Sequence, residues 1–270
     1  MPRLFTNRPR QHDLAVKVAK QTIDEDGNHF NWGLTNAILY IVGGTSFVIG
    51  SIFFLPEYEI FSDIGAWIFF GGSLVYLVVT GHDLLESYFQ LCYRKELTFW
   101  HWLEFVIANI YVGGTVLFTI GSLLFLSQID EIIAGGWCFT IGSLFFLFGA
   151  CMNVIQIVQE PSFMKLQLLN ITAISFTVGS TLFLIASLPY LSDTLTLSTH
   201  TVLFRYVGWE YIMGSILFLI GGLAYYYRLF QVKDYYQYNS NQFLLWENNI
   251  QSLKQYQPQE QQEQSVNYFR

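Results

Sequence analysis

Charge is scarce in this sequence: Asp, Glu, Lys and Arg together make up 12% of 270 residues, whereas a soluble domain averages about a quarter. Hydrophobic residues fill 53% of the chain. Too little polar surface exists to clothe a water-soluble fold, so the composition points to a membrane protein. Cysteine is also scarce, and Cys92, Cys138 and Cys151 form no CxxC pair, which leaves them as free thiols. The polar stretch from Met1 to Phe30 lacks a short apolar core with a small-residue cleavage site. No secretory signal peptide is therefore expected, and insertion begins with the first helix.

Reactive constellations are missing too. There is no nucleophile elbow, phosphate-binding glycine loop or paired-carboxylate site, so no catalytic residue, cofactor or enzymatic activity is expected. His82 and His101 belong to no histidine pair at helical ligand spacing, and neither a metal site nor a haem site is expected. The net charge of −7 is spread over loops and tails rather than collected in a run, which argues against a nucleic-acid partner.

Repetition is what the chain has instead. A frame of the form aromatic-x-x-Gly-Ser-x-x-aromatic-Leu occurs six times, at Phe47–Leu55, Phe69–Leu77, Phe118–Leu126, Phe139–Leu147, Phe176–Leu184 and Tyr211–Leu219. Each lies in an apolar stretch of about the 20 residues that a helix needs to cross a bilayer. Spans are expected near residues 35–55, 64–81, 104–127, 134–157, 166–188 and 204–227. Arg3, Arg8, Arg10, Lys17, Lys20, Arg94, Lys95, Lys165, Arg228, Lys233, Lys254 and Arg270 fall on one side of these spans, and Arg205 on the other. Positive charge stays in the cytoplasm, so both termini are expected there.

A tryptophan precedes the glycine by five residues in alternate frames only: Trp67 before Gly72, Trp137 before Gly142 and Trp209 before Gly214. The repeating unit is therefore a two-helix hairpin, present three times in one orientation. The expected fold is all-α and polytopic, with pseudo-threefold parallel repeats about an axis along the membrane normal. Its parts are an N-terminal cytoplasmic segment (1–33), hairpin 1 (34–81), an interfacial connection (82–103), hairpin 2 (104–158), hairpin 3 (165–228) and a cytoplasmic tail (229–270).

These residues resemble the YrhK-like domain, a short two-helix membrane module with phenylalanine-flanked Gly-Ser pairs and a tryptophan opening its second helix. The resemblance spans Tyr40–Thr80, Tyr111–Val154 and, with a longer outer loop at Ser192–Leu203, Ile171–Tyr226. It implies a fold and a membrane location, and brings no activity or ligand residues with it.

On a helix the frame's first aromatic, its glycine and its second aromatic share one face, with a notch between two rings. The pairs Gly50-Ser51, Gly72-Ser73, Gly121-Ser122, Gly142-Ser143, Gly179-Ser180 and Gly214-Ser215 are thus expected to be packing seams, since small residues let helices approach closely in lipid. A pore or ligand groove ringed by the serine hydroxyls is the alternative. Arg205 and Glu210 form one candidate polar site toward the outer end of the sixth span, in a local or interhelical ion pair or as a proton or ligand site. Asn36, Asn109, Asn153 and Asn170 are expected to bond between helices. In the tail, Phe243, Trp246, Ile250 and Leu253 make an apolar stripe before a Gln-rich end; the alternative role for this tail is to bind a protein partner. The lipid bilayer is the expected partner throughout, and the oligomeric state stays open.

A non-enzymatic structural or accessory protein of a prokaryotic-type inner (plasma) membrane is the expected function. The alternative is a transporter or channel for a small neutral or lipid-like solute along the threefold axis.

Overall fold

The computed structural model describes residues 23–93, 97, 99–157, 163–191 and 202–230. Six helices carry the fold: α1 (Ile23–Ile52), α2 (Ser62–Tyr93), α3 (Phe99–Leu124), α4 (Ile132–Ile157), α5 (Phe163–Ser187) and α6 (Val202–Phe230). There is no strand among the described residues. All six helices contain stretches long and apolar enough to cross a membrane. The N-terminal segment before Ile23, the apolar stripe Phe243–Leu253 and the Gln-rich end lie outside the described residues.

Local chemistry ends the helices at the hairpin turns. Pro56 opens the 3-10 turn Pro56–Phe61 behind an extended Leu55; proline has no N–H with which to continue a helix. In the second hairpin Asp130 takes a left-handed φ of 53°, which aspartate tolerates better than most residues. Its N–H and that of Glu131 donate back to the carbonyls of Leu126 and Leu124 at 2.9 and 3.2 Å, satisfying carbonyls at the end of α3.

One boundary differs from expectation. Residues 82–93 continue α2 without a break, so the expected interfacial connection over 82–103 is divided between α2 and α3, with a short link between them. Gly81 is the sole breaker candidate there, and one glycine costs a helix only about 1 kcal/mol. Leu84, Leu85 and Glu86 carry the helix onward.

The helices form a ring in chain order. Phe69 of α2 covers Gly50 of α1, the Thr80 and Thr115 hydroxyls meet at 3.1 Å between α2 and α3, and Phe139 of α4 covers Gly121 of α3. Phe183 of α5 covers Gly214 of α6. The ring closes where the Ser51 and Ser215 hydroxyls meet at 3.0 Å and Tyr40 of α1 packs on Gly222 of α6. The outer face is apolar, with Ile38, Val42 and Ile49 exposed on α1 and Trp67, Trp137 and Trp209 exposed on the even helices. The inner face is aromatic and small, as helix association in lipid requires.

Candidate functional site

Six rings fill the middle of the bundle. Phe47 and Phe69 stack at 4.9 Å, Phe118 and Phe139 stack at 4.7 Å, and Phe183 meets Tyr211 edge-on at 5.2 Å. The pairs also touch one another: Phe118–Phe183 at 5.6 Å, Phe69–Phe139 at 5.9 Å and Phe47–Phe183 at 6.2 Å. All six are buried. Glycine makes this possible, because a Cβ at Gly50 would sit 2.6 Å from the Phe69 ring and one at Gly121 would sit 2.7 Å from Phe139. The exchange is reciprocal: Phe47 lies on Gly72 and Phe118 on Gly142.

The serines of the frame are buried inside the bundle. Ser51, Ser122 and Ser215 are buried and each donates to the carbonyl four residues earlier at 2.7 Å. The Ser73, Ser143 and Ser180 hydroxyls are buried and make no hydrogen bond among the described residues.

Hairpin 3 is built in a different register from the one its sequence frame indicates. A Cβ at Gly179 would lie 3.1 Å from the Gly214 carbonyl, as one at Gly43 would lie 3.4 Å from the Gly72 carbonyl and one at Gly114 3.3 Å from the Gly142 carbonyl. Gly179 thus occupies the level of Gly43 and Gly114, not that of Gly50 and Gly121. Phe183 takes the place of Phe47 and Phe118, and behind it runs a second version of the frame, Phe183-x-x-Ala186-Ser187-x-x-Tyr190-Leu191. Ser187 donates to the Phe183 carbonyl at 2.7 Å, as Ser51 and Ser122 do to theirs, and also meets the Tyr211 hydroxyl at 3.0 Å. Phe176 lies two turns away, with Tyr40 at 5.4 Å and Phe218 at 5.3 Å.

Tyr40, Tyr76, Phe146, Phe176 and Phe218 form a second aromatic layer toward the end that carries the termini. Between this layer and Phe47 and Phe118 lies a void of about 10 Å³, roughly the room of one water.

Polar groups gather beyond that layer, at the termini end. Asn153 Nδ2 donates to the Tyr111 hydroxyl at 3.0 Å, and Asn36 Nδ2 lies 3.3 Å from His82 Nδ1. Asp83, His101, Glu104 and Arg228 are only 3%, 3%, 2% and 5% exposed. Ser87 donates to the Asp83 carbonyl at 2.6 Å, and the Arg228 guanidinium lies 5.3 Å from the Tyr225 ring centre. Sequence reasoning placed Asp83 and His101 outside the spans, because it ended the second span at Gly81, and left Glu104 and Arg228 at the ends of their hairpins. The available signal was the continuation of helix-forming residues past that glycine. Asn109 and Asn170 are exposed instead, and Asn109 donates to the Phe105 carbonyl of its own helix.

Arg205 and Glu210 are not brought together at the turn end. Arg205 Nε donates to Glu57 in the first hairpin turn at 2.8 Å, with both side chains about half exposed. Such a pair contributes about 0–1 kcal/mol, so Arg205→Ala should lower the thermal midpoint only slightly, and 0.5 M salt should abolish that difference; a large, salt-independent loss would show a different role. Asp63 accepts from the Ser127 N–H and hydroxyl at 2.8 and 2.5 Å, tying the second hairpin turn to α2. Cys92, Cys138 and Cys151 are free.

Six bilayer-length helices closed around an aromatic plug make this an integral membrane protein. The family model described as YrhK-like protein matches the chain twice, over residues 31–88 and 101–158. The α1–α2 and α3–α4 hairpins are thus YrhK-like modules in tandem. No curated protein and no solved structure matches it significantly.

Proposed function

We propose that this chain is a structural or accessory module of its membrane, without enzymatic activity, whose three hairpins surround a sealed pseudo-threefold axis. The aromatic plug carries this proposal. Three ring pairs in mutual contact, with a void of only about 10 Å³ beside them, support a closed axis over a solute path.

Cyclic contacts support the threefold relation and a third module in α5–α6. Leu55 of hairpin 1 lies on Gly208 of hairpin 3, and Leu191 of hairpin 3 lies beside Gly136 of hairpin 2. The turns follow the same order, with Glu57 reaching hairpin 3 and Ser127 of hairpin 2 reaching Asp63 of hairpin 1. The excess of Lys and Arg at the termini end supports a cytoplasmic location for both termini.

Thiol accessibility tests the proposal. In a chain with Cys92, Cys138 and Cys151 replaced, single cysteines at Ser73, Ser143 and Ser215 should resist a water-soluble maleimide. A cysteine at exposed Gln128, in the second hairpin turn, should react from outside intact cells. Labelling at all three serine positions would reveal water at the plug and favour the transport alternative; protection of Gln128→Cys from the outside would reverse the orientation.

A further inference from the structure

We propose that the termini end of α2 holds a divalent metal ion of the zinc and cobalt class on His82, Asp83 and Glu86. One donor atom from each of these side chains lies within 4.8 Å of the other two. Around one tetrahedral zinc ion, donors at about 2.0–2.2 Å stand roughly 3.3–3.6 Å apart. Side-chain rotations that bring the donor atoms closer by up to roughly 1.5 Å would close the set.

Helix geometry explains the convergence. His82 and Glu86 are four residues apart and Asp83 and Glu86 three, so all three side chains project from one turn of α2. One imidazole and two carboxylates form a borderline-to-hard donor set that suits zinc, cobalt or manganese better than copper(I) or an iron–sulfur cluster. The imidazole separates this group from an ordinary acidic surface.

A second helix contributes independently. The buried Asn36 amide of α1 lies against His82 Nδ1 at 3.3 Å. As placed, the amide nitrogen faces the ring; with the amide flipped, its carbonyl oxygen would accept from Nδ1–H and leave the Nε2 lone pair for the metal. Ligating histidines characteristically have such an outer partner, which fixes the ring and the tautomer. The two orientations of an amide have nearly the same shape, so the hydrogen-bond partners decide between them. Asp83, Glu86 and Arg228 all lie in electrostatic reach of the Tyr225 hydroxyl, so Arg228 shares this pocket and limits the excess negative charge that the ion meets. Bound metal would tie α2 to α1 through Asn36 and steady the end of the bundle opposite the turns.

The full chain, purified in detergent and stripped with a chelator, would be titrated with Co²⁺ and followed by its visible absorption. One equivalent should bind, without the intense near-ultraviolet band of a cobalt thiolate. Zn²⁺ should displace the Co²⁺ and raise the melting temperature. His82→Ala and Glu86→Gln should each weaken binding at least tenfold and abolish the melting shift, and Asn36→Ala should weaken it about 10- to 100-fold. His82 and Glu86 are only half-buried, so their variants are expected to keep the parent's elution position; if one does not fold, the other and the parent's melting shift carry the test. Failure of the folded parent to bind Co²⁺, equal binding by the parent and a folded His82→Ala or Glu86→Gln chain, or a thiolate band overturns the proposal.

Discussion

A leucine at Gly142 is expected to stop the bundle from assembling: the Gly142→Leu chain should still insert into membranes, yet emerge from detergent as polydisperse material or melt far below the parent. A Cβ at Gly142 would stand 2.7 Å from the Phe118 ring and 3.2 Å from the Gly114 carbonyl. Phe118 cannot swing away, because it stacks on Phe139 at 4.7 Å and abuts Phe183 at 5.6 Å. Overpacking a core by a few methylenes typically costs about 1–3 kcal/mol, and leucine adds three further carbons beyond that blocked Cβ. Gly71 supplies the control. A Cβ there meets nothing within 4 Å, so Gly71→Leu should elute and melt like the parent. Normal assembly of Gly142→Leu would sink the packing-seam account of the frame.

The frame made most of this fold legible. Aromatic, glycine and aromatic on one face require a partner ring in the notch, and that ring is found at Gly50, Gly72, Gly121, Gly142 and Gly214. The level of the fifth frame was not legible. Phe176–Leu184 satisfies every fixed position, while Phe183–Leu191 carries alanine where the others carry glycine. The two versions lie seven residues apart, close to two helical turns, so both face the bundle. Only the partner decides between them, and the partner is set by tertiary packing: Phe183, not Phe176, covers Gly214. The charged termini end was hidden for another reason. Asp83 and His101 read as flanking charges while the second span stopped at Gly81, and they are interior, with Glu104 and Arg228, where α2 runs to Tyr93. Arg205 was expected in a local or interhelical ion pair, but its partner, Glu57, is 148 residues away and not identifiable from spacing.

The register of hairpin 3 yields the second large effect. Phe183→Ala should destabilise the protein about as much as Phe118→Ala, and clearly more than Phe176→Ala. Phe183 is fully buried and touches Phe47, Phe69, Phe118, Tyr211 and Phe218, whereas Phe176 has ring contacts with Tyr40 and Phe218 at the edge of the plug. In soluble cores Phe→Ala costs about 3–5 kcal/mol. Lipid is as apolar as the plug, so the transfer part of that cost largely disappears, while the unfilled cavity and lost ring contacts remain. A loss of about 2–3 kcal/mol is therefore expected for Phe183→Ala and Phe118→Ala. Reversible unfolding in mixed micelles measures all three variants on one scale. If Phe176→Ala proved as costly as Phe118→Ala and Phe183→Ala mild, hairpin 3 would sit in the register of its sequence frame, and the ring pair of Phe183 with Tyr211 would have no part in sealing the axis.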